Sequence, residues 1–193
     1  MSSRVNLTEL MRAFLYGLAC YLLGGLVSLP LRYIRENTIL VPRVSLVAVG
    51  IGGIALGLLL GLRGKSVLVR FFVTAITSYL GVILVNFGVN MIMGTGPGAM
   101  MVSIMTRVVL PAVIYGAIFG LQVYGASAVV HFAVVSLTAA LPVMVAAFFY
   151  HTAKVLPVAF ESMWTYAALG AAVSVSCISY VRNAGLAEVS SPR

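Results

Sequence analysis

The sequence has no aspartate and only four glutamates in 193 residues, and charged residues of all kinds make up 8% of it. A soluble domain of this size carries about 25% charged residues to cover its surface. So few charges cannot coat a water-facing exterior, and much of this chain's outside must face an apolar medium. The shortage of carboxylates also limits chemistry. Two-metal hydrolysis and paired acid/base catalysis both need clustered carboxyl groups, and Glu9, Glu36, Glu161 and Glu188 are far apart in the chain. Cysteine is scarce too. Cys20 and Cys177 each lie near the middle of an apolar run, where a lone thiol behaves as a small hydrophobe. Neither a zinc spacing nor a disulfide framework is present. No H-E-x-x-H or G-x-S-x-G occurs, and the glycines of 94–98 lack the Lys-Ser/Thr that completes a phosphate-binding loop. These absences point away from an enzyme and call for no cofactor or metal.

What the chain does have is hydrocarbon: 62% of its residues are hydrophobic and its mean hydropathy is +1.11. The expectation is an all-α polytopic membrane bundle of about six helices, in one domain over 1–182 with a short polar tail at 183–193. The apolar runs lie at about 12–31, 44–62, 71–93, 106–124, 126–150 and 161–181. Each has about the 17–25 residues that cross a hydrocarbon core of roughly 30 Å. The run 44–62 holds eleven Val, Leu or Ile, each contributing roughly −0.3 to −0.6 kcal/mol at the membrane centre. The fourth and fifth runs abut at Tyr124-Gly125-Ala126-Ser127 with no charge between them, which calls for a tight helical hairpin. Pro111 and Pro142 fall inside these runs and should kink them, because each removes a backbone donor. A five-span alternative would bury one of the two as a re-entrant element. The first run exceeds the 7–15 apolar residues of a signal peptide and is followed by no A-x-A site, so it reads as a retained helix.

The formal charge is +8, from 12 Lys and Arg against the four glutamates. The cations sit in the gaps between apolar runs, where they anchor helix ends and set topology; they form no basic face of the kind that binds nucleic acid. With the N-terminus inside, seven Lys or Arg fall on the cytoplasmic side and five on the other. The bias predicts both termini in the cytoplasm of a prokaryotic cell membrane. The lipid bilayer is the expected partner, together with a homo-oligomer or a larger membrane complex.

Small residues recur every four positions: Gly53-Gly57-Gly61, then Ala112-Gly116-Gly120, then Ala168-Ala172-Ser176. Such faces let helix backbones approach closely in lipid. Polar groups recur as well. Thr74, Ser78, Asn86 and Asn90 stand at multiples of four along the third run, and Arg107 opens the fourth after a glycine-rich connection. Buried amides and a guanidinium are costly in hydrocarbon unless they face protein or water. Asn86, Asn90 and Arg107, with Glu161 as the carboxylate closest to a membrane segment, are therefore the candidate ligand-binding set for a polar or anionic solute. His131 and His151 stand about 30 Å apart on one helix and cannot share a metal. Trp164 with Tyr33, Tyr124, Tyr150 and Tyr180 reads as an aromatic belt. Two functions follow: a small transporter, channel or substrate-capturing subunit, which the polar set favours, or a non-catalytic accessory subunit of a larger membrane complex.

Overall fold

A computed structural model describes residues 6–33, 48–56, 102, 104–153 and 161–190, and every element in them is helical. Helix α1 is Leu7–Tyr33; α2 covers 48–56; a π-helical turn, Met105–Val109, leads into α3, Leu110–Tyr124. A 3-10 turn, Ala126–Ala128, precedes α4, Val129–Ala153, and α5 is Glu161–Ser190. Four of these stretches, Leu7–Ser28, Met105–Tyr124, Ala126–Tyr150 and Met163–Asn183, are long and apolar enough to cross a membrane. They correspond to the first, fourth, fifth and sixth expected spans. The third expected span, 71–93, and most of the second lie outside the described residues.

Helix α1 starts five residues earlier than its apolar run because the polar lead caps it. The Thr8 N–H donates to Asn6 Oδ1 at 3.1 Å, and the Glu9 N–H donates to the Asn6 carbonyl at 2.9 Å. Asn at the cap with Glu three residues on is a start signal that also complements the helix dipole. Helix α5 runs on to Ser190 through what looked like a frayed tail. Ala184, Leu186, Ala187 and Glu188 are good helix formers, so the helix outlasts the apolar window that ends at Asn183.

Both helices of the central hairpin are present and each is long and apolar enough to cross a membrane. Gly125 makes the reversal at φ +91°, a region that side chains rarely adopt, and its N–H still donates to the Leu121 carbonyl at 3.1 Å. Pro111 does not interrupt a regular helix as expected. It occupies the first turn of α3, directly after the π-helical turn. Having no N–H, it cannot bond the carbonyl of Arg107 four residues back. That carbonyl instead accepts the Thr165 hydroxyl of α5 at 2.7 Å. A wider turn and a borrowed hydroxyl are the usual repairs for a proline in hydrocarbon.

Helix α5 is the centre of the bundle. Of its apolar window 61% is buried, against 33% for α1 and for α4, and it packs on α1, α4 and α3, most extensively on α1. The α1–α5 crossing is a backbone-to-backbone approach: a methyl on Gly17 would overlap the Gly170 carbonyl, and a methyl on Gly170 would overlap that of Gly17. The Ser174 hydroxyl fills the space beside Gly17 and donates to the Ala13 carbonyl of α1 at 2.7 Å. Helix α2 meets α1 in the same way, with Gly52 against the Tyr21 backbone and Gly24 against Ala48.

Two contacts fix the directions of the described helices. Glu9, near the start of α1, is bonded to Arg182, near the end of the α5 span, so these two ends are together. The start of α3 lies at the opposite end, beside the start of α5, through Arg107 and Thr165.

Gly170→Ala is expected to destabilise the protein by about 1–3 kcal/mol, since overpacking here forces two backbones apart. Leu15→Ala, on the exposed side of α1 (57% exposed), should change stability far less. Thermal unfolding of both variants in the same detergent checks this; equal losses would mean the crossing is not limiting.

Candidate functional site

The sequence-derived ligand set does not appear as a cluster in what is described. Asn86 and Asn90 lie outside the described residues, and so does the side chain of Glu161. Arg107 has an exposed side chain in the π-helical turn. Its carbonyl is tied to Thr165, one turn after Glu161, so the backbones of Arg107 and Glu161 are held at the same end of the bundle. Of the packing glycines, Gly116 and Gly120 face α4 within the chain: a methyl on Gly116 would overlap Ser136 Oγ, and one on Gly120 would press on the Phe132 ring. Gly53 is buried in α2, and Gly57 and Gly61 are outside the described residues.

The middle of the bundle is filled by side chains. Tyr21, Tyr115, Phe119, Phe132 and Val173 are all at most 1% exposed. Tyr21 of α1 and Tyr115 of α3 meet edge to face, with centroids 6.2 Å apart, and share a hydrogen bond of 2.9 Å between their hydroxyls. Ser136 of α4 and Ser176 of α5 approach to 3.3 Å, directly over Gly116 of α3. With Ser174 and Thr165 these bonds join α5 to α1, α4 and α3, and α1 to α3. Each polar group is thereby spared the cost of facing hydrocarbon alone.

Among the described residues, three openings lie on the outside of this filled core. On one flank, two apolar grooves of about 310 and 330 Å³ share Phe14 and Pro142 and run between α1 and α4 over α5. At one end of that flank the rings of Tyr150 and Trp164 meet at a tilt of 59°, 5.4 Å between centroids. At the opposite end of the bundle Tyr124, Tyr180, Phe132 and His131 form a second aromatic group, with Tyr124 and Tyr180 4.9 Å apart. The two groups take in Trp164, Tyr124, Tyr150 and Tyr180 of the expected belt, at opposite ends of the bundle, while Phe132 is fully buried. Among the described residues His131 Nε2 is buried with no hydrogen-bond partner.

The third opening carries the charge. It is a cleft of about 360 Å³ between the start of α1 and the end of the α5 span, closed on one side by Tyr124 of α3. Helix α1 contributes Glu9, Arg12 and Tyr16, spaced three and four apart and so on one face. Helix α5 contributes Arg182 as the polar edge, with Ile178 and Val181 as the apolar wall. Glu9 Oε1 accepts from Arg182 at 2.7 Å, both side chains about two-fifths exposed. Arg12 is exposed and has no ion-pair partner among the described residues. The cleft therefore holds one balanced pair and one unbalanced guanidinium. Sequence reading assigned Arg12 only to topology. The spacing of Glu9, Arg12 and Tyr16 was visible there, but Arg182, 173 positions away, was not a foreseeable neighbour.

A double-mutant cycle with Tyr21→Phe and Tyr115→Phe is expected to give a coupling of roughly 0.6–1.7 kcal/mol in stability, the range for hydrogen bonds between membrane helices; zero coupling would show that the hydroxyls contribute only through packing. In comparisons with known proteins, no family, no curated protein and no solved structure matches this chain.

Proposed function

We propose that this chain is a non-enzymatic subunit of a larger membrane assembly, a helical scaffold more than a conduit through its own four-helix core. The observation that supports it most is the filled centre: five large or branched side chains at most 1% exposed, with the polar groups around them bonded across helices. Helix α4 adds an outward stripe, Val130, Val134, Leu137, Leu141, Val145 and Phe149, at helical spacing and 41–73% exposed, which suits lipid or a neighbouring subunit. The scarcity of carboxylates supports a role without catalysis.

The second reading is a transporter or substrate-capturing subunit for a small polar or anionic solute. The cleft with its unbalanced Arg12 favours it, and so does the held proximity of the Arg107 and Glu161 backbones. The two readings separate on reconstitution. As a scaffold, the full chain purified in mild detergent keeps a second protein or a second copy of itself in native mass spectrometry, and proteoliposomes of the chain alone carry no anion flux above empty vesicles. Flux through the chain alone that falls at least tenfold in Asn86→Ala or Arg107→Gln would overturn the scaffold and establish transport.

Both termini belong on the cytoplasmic side of a prokaryotic membrane. The pairing of Glu9 with Arg182, which puts the start of α1 and the end of the α5 span on one side, and the seven-to-five cation bias support this orientation. In a variant with Cys20 and Cys177 replaced by alanine, single cysteines at Ser3 and Ser190 are expected to stay unlabelled by an impermeant thiol reagent until the cells are opened. Labelling of both in intact cells would invert the topology.

A further inference from the structure

We propose that the cleft between the start of α1 and the end of the α5 span binds the phosphodiester headgroup of an anionic membrane lipid, with Arg12 as the principal phosphate-binding residue. Three observations converge. The first is charge: Glu9 is taken by Arg182 at 2.7 Å, so among the described residues lining the cleft Arg12 is left as an unbalanced positive charge. A guanidinium offers a planar fork of donors that matches phosphate oxygens two at a time. The second is position. Arg12 is exposed and stands near the start of α1, at the edge of the apolar run that begins there. A long guanidinium side chain at such an edge reaches the headgroup layer, where lipid phosphates sit.

The third is the shape and chemistry of the walls. Behind the charged edge stand Ile178, Val181 and the ring of Tyr16, so the cleft is cationic on its rim and apolar toward the bilayer. A soluble anion would leave that apolar wall exposed; a lipid covers it with its glycerol and first methylenes. The volume of about 360 Å³ leaves room for a headgroup. Basic pockets between membrane helices are known to select anionic headgroups in this way. The site stands apart from the scaffold reading and does not depend on it.

The test uses the full chain in nanodiscs of phosphatidylcholine alone and of phosphatidylcholine with phosphatidylglycerol. Native mass spectrometry is expected to find phosphatidylglycerol retained at least fivefold over its bulk fraction, and thermal unfolding to shift upward in the mixed lipid. Arg12→Gln should abolish both effects, Arg12→Lys should keep part of each, and Arg107→Gln at the opposite end should keep both. If Arg12→Gln does not fold, Val181→Trp, which fills the cleft without touching the charge, should remove the enrichment. Equal retention of the two lipids by the wild-type chain overturns the proposal. So does an unchanged enrichment in Arg12→Gln or, where that variant does not fold, in Val181→Trp. Glycerol 3-phosphate added to the phosphatidylcholine discs distinguishes the source of the phosphate: protection equal to that by the lipid would assign the cleft to a soluble anion instead.

Discussion

Lipid solvates leucine as well as protein does, so membrane helices hold together where they approach closely and where polar groups pair across them. In this chain the closest described approach is the crossing of α1 on α5 at Gly17 and Gly170, where each backbone occupies the space a methyl would need. Much else depends on it. The crossing admits Ser174 to the Ala13 carbonyl, sets Tyr21 facing Tyr115 of α3 one turn further along α1, and brings Glu9 within reach of Arg182 at the end of the same interface. The charged cleft lies at that end of the same interface.

The same constraint explains why the polar residues of the core are so evenly shared. Hydrocarbon supplies no water to absorb a stray donor, and each buried hydroxyl must find its partner inside the protein. Ser28 bonds a carbonyl of its own helix, Ser136 and Ser176 approach each other, and Thr165 donates to the Arg107 carbonyl, which Pro111 cannot serve. Pro111 and Thr165 act as a unit. The proline widens the turn before α3, and the threonine two helices later makes that turn tolerable. A bundle tied in this way has little room for a polar route through its described centre, and its chemistry is displaced to the ends and flanks.

Much of this was readable in the chain. Four apolar runs became four helices of membrane length, and the hairpin at Tyr124–Ser127 turns where an uncharged Tyr-Gly-Ala-Ser junction required it. The small faces of Ala112-Gly116-Gly120 and Ala168-Ala172-Ser176 are buried within the chain, with Gly116, Gly120 and Ser176 against α4. The stronger contact escaped because it carries a weaker pattern: Ala13 and Gly17 on one helix, Gly170 and Ser174 on the other, two pairs of small residues instead of three in series. Spacing reports which residues share a face, but it does not report which face meets which helix. The repair of Pro111 was hidden for the same reason, since proline announces a missing donor but not the Thr165 that compensates, 54 positions later. Helix ends were the other error. Hydropathy marks where the membrane begins, whereas Asn6 and Ala184–Glu188 decide where the helices do.

The candidate site shows the limit most plainly. Asn86, Asn90, Arg107 and Glu161 were selected because polar groups inside apolar runs are costly and need a reason. That argument weighs depth, and it overlooks a cation near a helix start, where charge is cheap and common. Arg12 is such a residue. Its significance comes from a neighbour's choice: Glu9, three residues before it and an equally natural partner by spacing, is bonded instead to Arg182 from the far end of the chain. Pairing across α1 and α5 thus leaves an unbalanced cation on the surface of α1. The bond that ties the two ends of the chain together also determines the charge of the cleft between them.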